Sequence, residues 1–293
     1  MVHVYPFLSQ SKGLILCRIG RETMGTYGWD LESDTFQVGQ WMRAKIYQCR
    51  CDLSHDGKYF IYFAYQPRWD NLARPYGHSQ TKRPPESWTA ISRAPYLTAV
   101  DFIPWENGGT WNGGGVFLDD THVYINLMPD SWGTLDGQIS PTGHHYVSKP
   151  KPSEYYGGED LTPLLMRLRC HGWELDPNPD VGYLLTKKIT DTLVLQKECL
   201  DRERETNNVC SLEGNTLLQV NGWCDYDAPR GRLVMEEKCV LYAWALEDIE
   251  RGRDYLASRK KLFSFQTAKP VFSPAPYASL WKRPCSHGAP STR

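Results

Sequence analysis

The stretch Leu53-Ser54-His55-Asp56-Gly57-Lys58-Tyr59-Phe60-Ile61-Tyr62-Phe63 decides the fold class. A short apolar stub runs into an acid and a glycine, and branched and aromatic residues follow. Gly57 supplies the positive φ that tight hairpin turns use. The run Lys58 to Tyr65 (KYFIYFAY) is rich in strand-forming residues. It is apolar without alternation, which predicts a strand covered on both faces.

Working outward, the same plan recurs. Gly28 to Glu32, Val116 to Asp119, Gly172 to Asp176 and Gly222 to Asp227 are extended apolar stubs ending in acids and turn formers. The strand-like runs Thr35 to Met42, Thr121 to Leu127, Val181 to Ile189 and Arg232 to Glu237 follow them. Five hairpin units result. With Leu31, Leu53, Leu118, Leu175 and Tyr226 equivalent, the first interval is far shorter than the other three, so the first unit is either truncated or a chance match. Further strands are expected within Trp88 to Ile103, interrupted by Pro95, and at Leu193 to Gln196, Val240 to Leu246 and Lys261 to Phe265.

Helical signal is thin. Asp160 to Arg169 reads as a short helix capped by Asp160, with Pro163 confined to its first turn. Leu246 to Lys261 reads as a charged insertion with partial helix, broken near Gly252. Lys197 to Asn208 reads as a charged loop or frayed helix.

Sequential hairpins with few helices predict an all-β protein, a β-propeller-like arrangement of about five blades of antiparallel strands with long loops. One domain is expected over residues 1–283, with a disordered Pro/Ser/Gly-rich tail at 284–293. Residues Leu53 to Phe63 resemble the S-P-D-G-K hairpin of WD40-like and TolB-type propeller blades, with His55 where that motif has proline. Asp227 to Val234 is a weaker copy. More broadly the chain resembles an uncharacterised bacterial propeller-like family that carries runs such as Ser87 to Leu97. That resemblance implies a fold and no activity. No GH…WD repeat is present.

Composition narrows the function. The chain has 293 residues, 41% hydrophobic and 23% charged, which excludes wholesale disorder. The 33 basic residues nearly balance the 34 acidic ones, which argues against a protein that coats nucleic acid or an anionic membrane. No apolar run approaches a membrane helix in length, and residues 1–20 lack the plan of a secretory signal. A cytoplasmic protein with buried, structural thiols among its nine cysteines is therefore expected. No nucleotide-loop, zincin or serine-hydrolase motif occurs. Neither a cofactor nor a metal is expected. Residues Asp52 to Gly57 imitate the opening of a calcium loop, but Phe63 stands where the bidentate Glu belongs. His144 and His145 point to opposite sides of an extended chain.

The long loops carry the functional expectation. Trp, Tyr and Arg together compose protein-binding hot spots. Arg68, Trp69, Trp88, Arg93, Trp105, Trp111, Asn112, Trp132, His144 and His145 are the candidate contacts for an unidentified protein partner. The reading is a non-catalytic recognition module or scaffold. The alternative is a hydrolase acting on a glycan or other small substrate. Its carboxylates would be Asp30, Asp52, Asp119, Glu174 and Asp225, gathered at a central channel. Nucleic-acid binding through Arg68, Arg74, Lys82 and Arg83 is a third, weaker reading.

Overall fold

Four successive strands over residues 2–43 build the first sheet of the computed structural model. It describes residues 2–66, 86–105, 110–128, 131, 133–148, 160–176, 183–199 and 205–280. Strands β1 (Val2–Leu8), β2 (Lys12–Ile19), β3 (Thr23–Asp30) and β4 (Thr35–Arg43) form an antiparallel meander. The second sheet holds β5 (Lys45–Ile46), β6 (Asp52–Leu53), β7 (Tyr59–Tyr65), β8 (Ser87–Arg93) and β9 (Ala99–Trp105). Strands β5 and β6 pair with opposite ends of β7, separated by a turn at Gln48–Arg50.

The third sheet has β10 (Gly115–Phe117), β11 (His122–Ile125) and β12 (His145–Val147), the last two parallel. Helix α1 (Thr162–Cys170) follows. The fourth sheet has β13 (Glu174–Asp176), β14 (Tyr183–Lys188), β15 (Leu193–Cys199), β16 (Glu205–Ser211) and β17 (Thr216–Asn221). The fifth has β18 (Cys224–Asp227), β19 (Arg232–Glu237), β20 (Val240–Ala245) and β21 (Lys260–Ser264), with helices α2 (Leu246–Glu250) and α3 (Tyr255–Ser258) before its last strand. The protein is thus mostly β, in several antiparallel sheets taken in chain order.

Local chemistry explains the turns. In the β6–β7 hairpin the Asp56 carboxylate accepts from the Ser54 hydroxyl at 2.7 Å and the Lys58 N–H at 3.0 Å. Gly57 takes φ +70°, the left-handed conformation that excludes most side chains. That is the hairpin expected from the sequence. Ahead of α1, Asp160 accepts the Thr162 N–H at 3.0 Å, and Pro163 sits in the first turn where its missing N–H costs nothing.

Both faces of several sheets are buried. Phe60, Tyr62 and Ala64 of β7 pack with Phe7, Leu14, Leu16 and Met24 of the first sheet. Ile61, from the opposite face of β7, packs with Phe117, Val123, Ile125 and Tyr146 of the third. Leu185, Leu195 and Val209 pack against Leu233, Met235 and Trp244, joining the fourth sheet to the fifth. The fifth returns to the first through Val234, Leu241 and Phe265, which meet Ile15, Tyr27, Trp29 and Trp41. Helix α1 packs against β10 and β13. Strand β6 touches both β1 and β10, so the first three sheets meet at this short strand.

A polar clamp reinforces the contact between the fifth and first sheets. Arg232 donates to both carboxylate oxygens of Asp34 at 2.8 Å and through Nε to Asp227 at 2.8 Å. The guanidinium fork matches the carboxylate geometry, which makes this pair stronger than a single contact. Burial opposes ionisation of Asp34, but hydrogen bonds from Arg232 and Lys260 outweigh it and hold the carboxyl below its ordinary range.

Some expectations need correction. The first hairpin unit, Gly28 to Met42, does form the hairpin β3–β4, but β1 and β2, which were not expected, precede it in the same sheet. The charged segment from Lys197 is not a frayed helix, because β15 continues to Cys199 and β16 resumes at Glu205. Strand β17 carries little apolar alternation and was not anticipated. The tail at 284–293 lies outside the described residues.

Candidate functional site

A buried arginine organises the most exposed aromatic among the described residues. Arg50 is 1% exposed, yet its Nη1 donates to the carbonyls of Thr110 and Asn112, each at 2.7 Å. Its guanidinium carbon lies 4.9 Å from the Tyr47 ring centre and 5.3 Å from that of Phe63. The two carbonyls flank Trp111, whose indole is 66% exposed. The Asn112 amide donates to Asp160 at 3.1 Å, which ties the loop to the start of α1. Gly114 follows at φ +77°, and a Cβ there would come within 2.1 Å of the Arg50 carbonyl oxygen. The chain around Trp111 is held, while the side chain itself faces solvent.

The other candidate contacts divide. Trp88 is 4% exposed and packs in the core of the first two sheets, so it is not a partner contact. Asn112 and His144 are buried too: the first serves the loop clamp, and the second packs edge-on to Tyr59 and beside Phe117. Trp105 is half-buried against Phe63, with its Nε1 donating to Thr89 at 3.3 Å. Arg93 is exposed, with its guanidinium over the Tyr277 ring. His145 is exposed beside His122. Arg68, Trp69 and Trp132 lie outside the described residues, as do Arg74, Lys82 and Arg83.

The five acids do not act alike. Asp30 accepts from Lys12 and from the Ser33 N–H and hydroxyl in the β3–β4 turn. Asp119 does similar work for Thr121 and His122, accepting both backbone N–H groups at 2.7 and 2.8 Å. Both are turn acceptors, at places where the chain reverses. Glu174 is exposed at the start of β13.

Asp52 and Asp225 are different. Asp52 is 2% exposed; its Oδ2 accepts the Phe117 N–H at 2.9 Å, while its Oδ1 has no hydrogen-bond partner. The His171 Nε2 stands 3.8 Å from that Oδ1. Asp225 pairs with Lys187 at 2.7 Å. Burial raises the Asp225 pKa, but Lys187, with His171 and Lys197 farther off, prevails and holds it below the ordinary carboxylate value. The Lys187 and Lys197 ammonium groups also lie 5.7 and 5.1 Å from the Trp173 ring centre. Sequence reasoning missed Arg50 and Lys187, because their partners lie tens of residues away.

On the third sheet, a shallow groove of about 530 Å³ is lined by Thr121, His122, Asp136, Gly137, His145, Tyr146 and Val147. Among the described residues no three His, Cys, Asp or Glu side chains converge in a way that could hold a metal. Among them, too, no helix is long and apolar enough to cross a membrane. Cys17, Cys49, Cys51, Cys210 and Cys224 are buried, and burial pushes the Cys17 and Cys51 thiols far up.

No family model matches the chain, and no curated protein matches it. Among solved structures it is similar to an uncharacterised protein of Listeria monocytogenes EGD-e, lmo1340, at a TM-score of 0.33 and 8% identity. That comparison covers 92% of this chain and 85% of the Listeria chain. A likeness at this level carries no argument.

Proposed function

We propose that the protein is a non-catalytic recognition module: a β-propeller of about five blades that presents Trp111 to a protein partner. The propeller reading is supported by meanders taken in chain order, by the contacts of β6 with β1 and β10, and by the return of the fifth sheet to the first. The recognition reading rests on one observation, the exposed Trp111 on a loop clamped by buried Arg50. An aromatic displayed on a held backbone loses little conformational freedom on contact. Trp is also the residue type most enriched among interface residues that dominate affinity.

The test is affinity capture from the source cells with wild-type and Trp111→Ala bait, followed by identification of what is held. A defined partner captured by the wild type and lost with Trp111→Ala, at an unchanged melting temperature, supports the reading. Equal capture by both proteins, or unfolding of the variant, overturns it.

The hydrolase reading is favoured by a single feature, the approach of His171 to the buried Asp52 at 3.8 Å, with the charge of His171 also felt at Asp225. It makes no use of Asp30 and Asp119, which serve turns. A hydrolase screen repeated with Asp225→Asn separates it from recognition.

A further inference from the structure

We propose that His122 and His145 form a two-histidine binding site for a late first-row divalent cation, Cu²⁺, Ni²⁺ or Zn²⁺. They are register partners on the parallel strands β11 and β12. Register partners project from the same face of a sheet, so the strand pairing itself places the rings together. Their ring centres are 5.6 Å apart with planes inclined by 34°.

That separation suits a shared metal. A cation about 2.1 Å from each coordinating nitrogen lies about 3.2 Å from each imidazole centre. Two such vectors at angles between tetrahedral and trigonal put the ring centres about 5.2–5.6 Å apart.

The protonation pattern also suits it. The Nδ1 of His122 lies 3.0 and 3.1 Å from the two Asp119 oxygens and 2.9 Å from the Thr121 hydroxyl. A carboxylate there places the proton on Nδ1 and leaves the Nε2 lone pair outward. Carboxylates orient metal-binding histidines in this way. The ring of His145 makes no hydrogen bond among the described residues. Both histidines border the groove of about 530 Å³, which leaves room beside a bound ion.

The site supplies two protein nitrogens, and water fills the remaining positions. Neutral imidazole pairs prefer Cu²⁺, Ni²⁺ and Zn²⁺ over Mg²⁺ or Ca²⁺, which seek oxygen. The inference is independent of the role given to Trp111.

The experiment is calorimetric titration of the full, untagged chain with CuCl₂, ZnCl₂ and MgCl₂, repeated with His122→Gln, His145→Gln, Asp119→Asn and Trp111→Ala. The wild type is expected to bind one Cu²⁺ or Zn²⁺ per chain at this site and no Mg²⁺. Either histidine substitution should weaken that binding at least tenfold, Asp119→Asn less, and Trp111→Ala not at all. Circular dichroism of each variant checks that it is folded, which the exposed His145 and the half-buried His122 should allow. No Cu²⁺ or Zn²⁺ binding by the wild type, or undiminished binding by folded His122→Gln and His145→Gln, overturns the proposal.

Discussion

The Arg50 guanidinium brackets Trp111: one buried nitrogen holds the carbonyl on either side of an exposed indole. This couples a surface feature to the interior of the second sheet. Removing the guanidinium in Arg50→Met leaves both carbonyls without their donor and empties the space between Tyr47 and Phe63. The expected loss is about 2–4 kcal/mol, read by urea denaturation. Trp111→Ala should stay within about 0.5 kcal/mol of wild type, as exposed positions do. A large effect of Trp111→Ala together with a small one of Arg50→Met would invert this picture.

Closure of the fifth sheet on the first depends on Phe265 and on the Arg232–Asp34 pair. Phe265 is fully buried, and its ring lies 5.2 Å from that of Tyr27, edge to face. Phe265→Ala should cost about 3–5 kcal/mol. Arg232→Lys keeps the charge but cannot form the two-pronged contact with Asp34 while also reaching Asp227. Its cost should be smaller, about 1–3 kcal/mol. Thermal melts of both variants check the order.

Acid should unlock two further contacts. Asp34 and Asp225 are both held below the ordinary carboxylate value in the folded protein. The unfolded chain therefore takes up protons first as pH falls. Their contribution is complete above the unfolded pKa of about 3.9 and disappears as pH drops through the lower folded values. The destabilisation caused by Asp34→Asn or Asp225→Asn at pH 7 should therefore shrink below about pH 4. Denaturation of wild type and variants at pH 7 and pH 3 tests the sign.

Asp52 makes the opposite kind of prediction. Its Oδ1 is buried without a hydrogen bond, whereas its Oδ2 serves the Phe117 N–H. Asp52→Asn keeps an oxygen for Phe117 and turns an amide toward His171. Stability should be unchanged or rise by up to about 1 kcal/mol, because an unsatisfied buried acceptor is costly. A loss above about 2 kcal/mol would show that the carboxylate itself matters to the fold.

Much of the architecture was legible where a strand announces itself locally. Lys58 to Tyr65 had to be buried on both faces, and Phe60 and Ile61 indeed enter different cores. The break at Gly252 separates α2 from α3 as composition suggested. Strands β1 and β2 carry a weaker local signal: β2 is a short apolar run buried at five consecutive positions, which periodicity alone does not mark as a strand. The site was less legible. Asn112 looked like a surface contact, but its partner Asp160 lies 48 residues on. Burial of Trp88 and His144 likewise depends on neighbours supplied by other strands and loops. Aromatic content alone does not distinguish a residue that fills a core from one displayed on its rim. The glycines beside Trp111 read from sequence as a flexible loop, whereas in the structure Gly113 and Gly114 lie too close to Phe63 and Arg50 for any side chain.

The meeting of the fifth sheet with the first has a consequence for synthesis. Trp29 and Trp41 emerge early, whereas Phe265 that covers their neighbourhood is added near the end. At about 5–20 residues per second, that interval is about 10–50 s. Through it the nascent chain carries an uncovered aromatic face, so its period of greatest exposure to aggregation falls on the ribosome, before the last strand arrives. Contacts this remote along the chain also slow the final folding step.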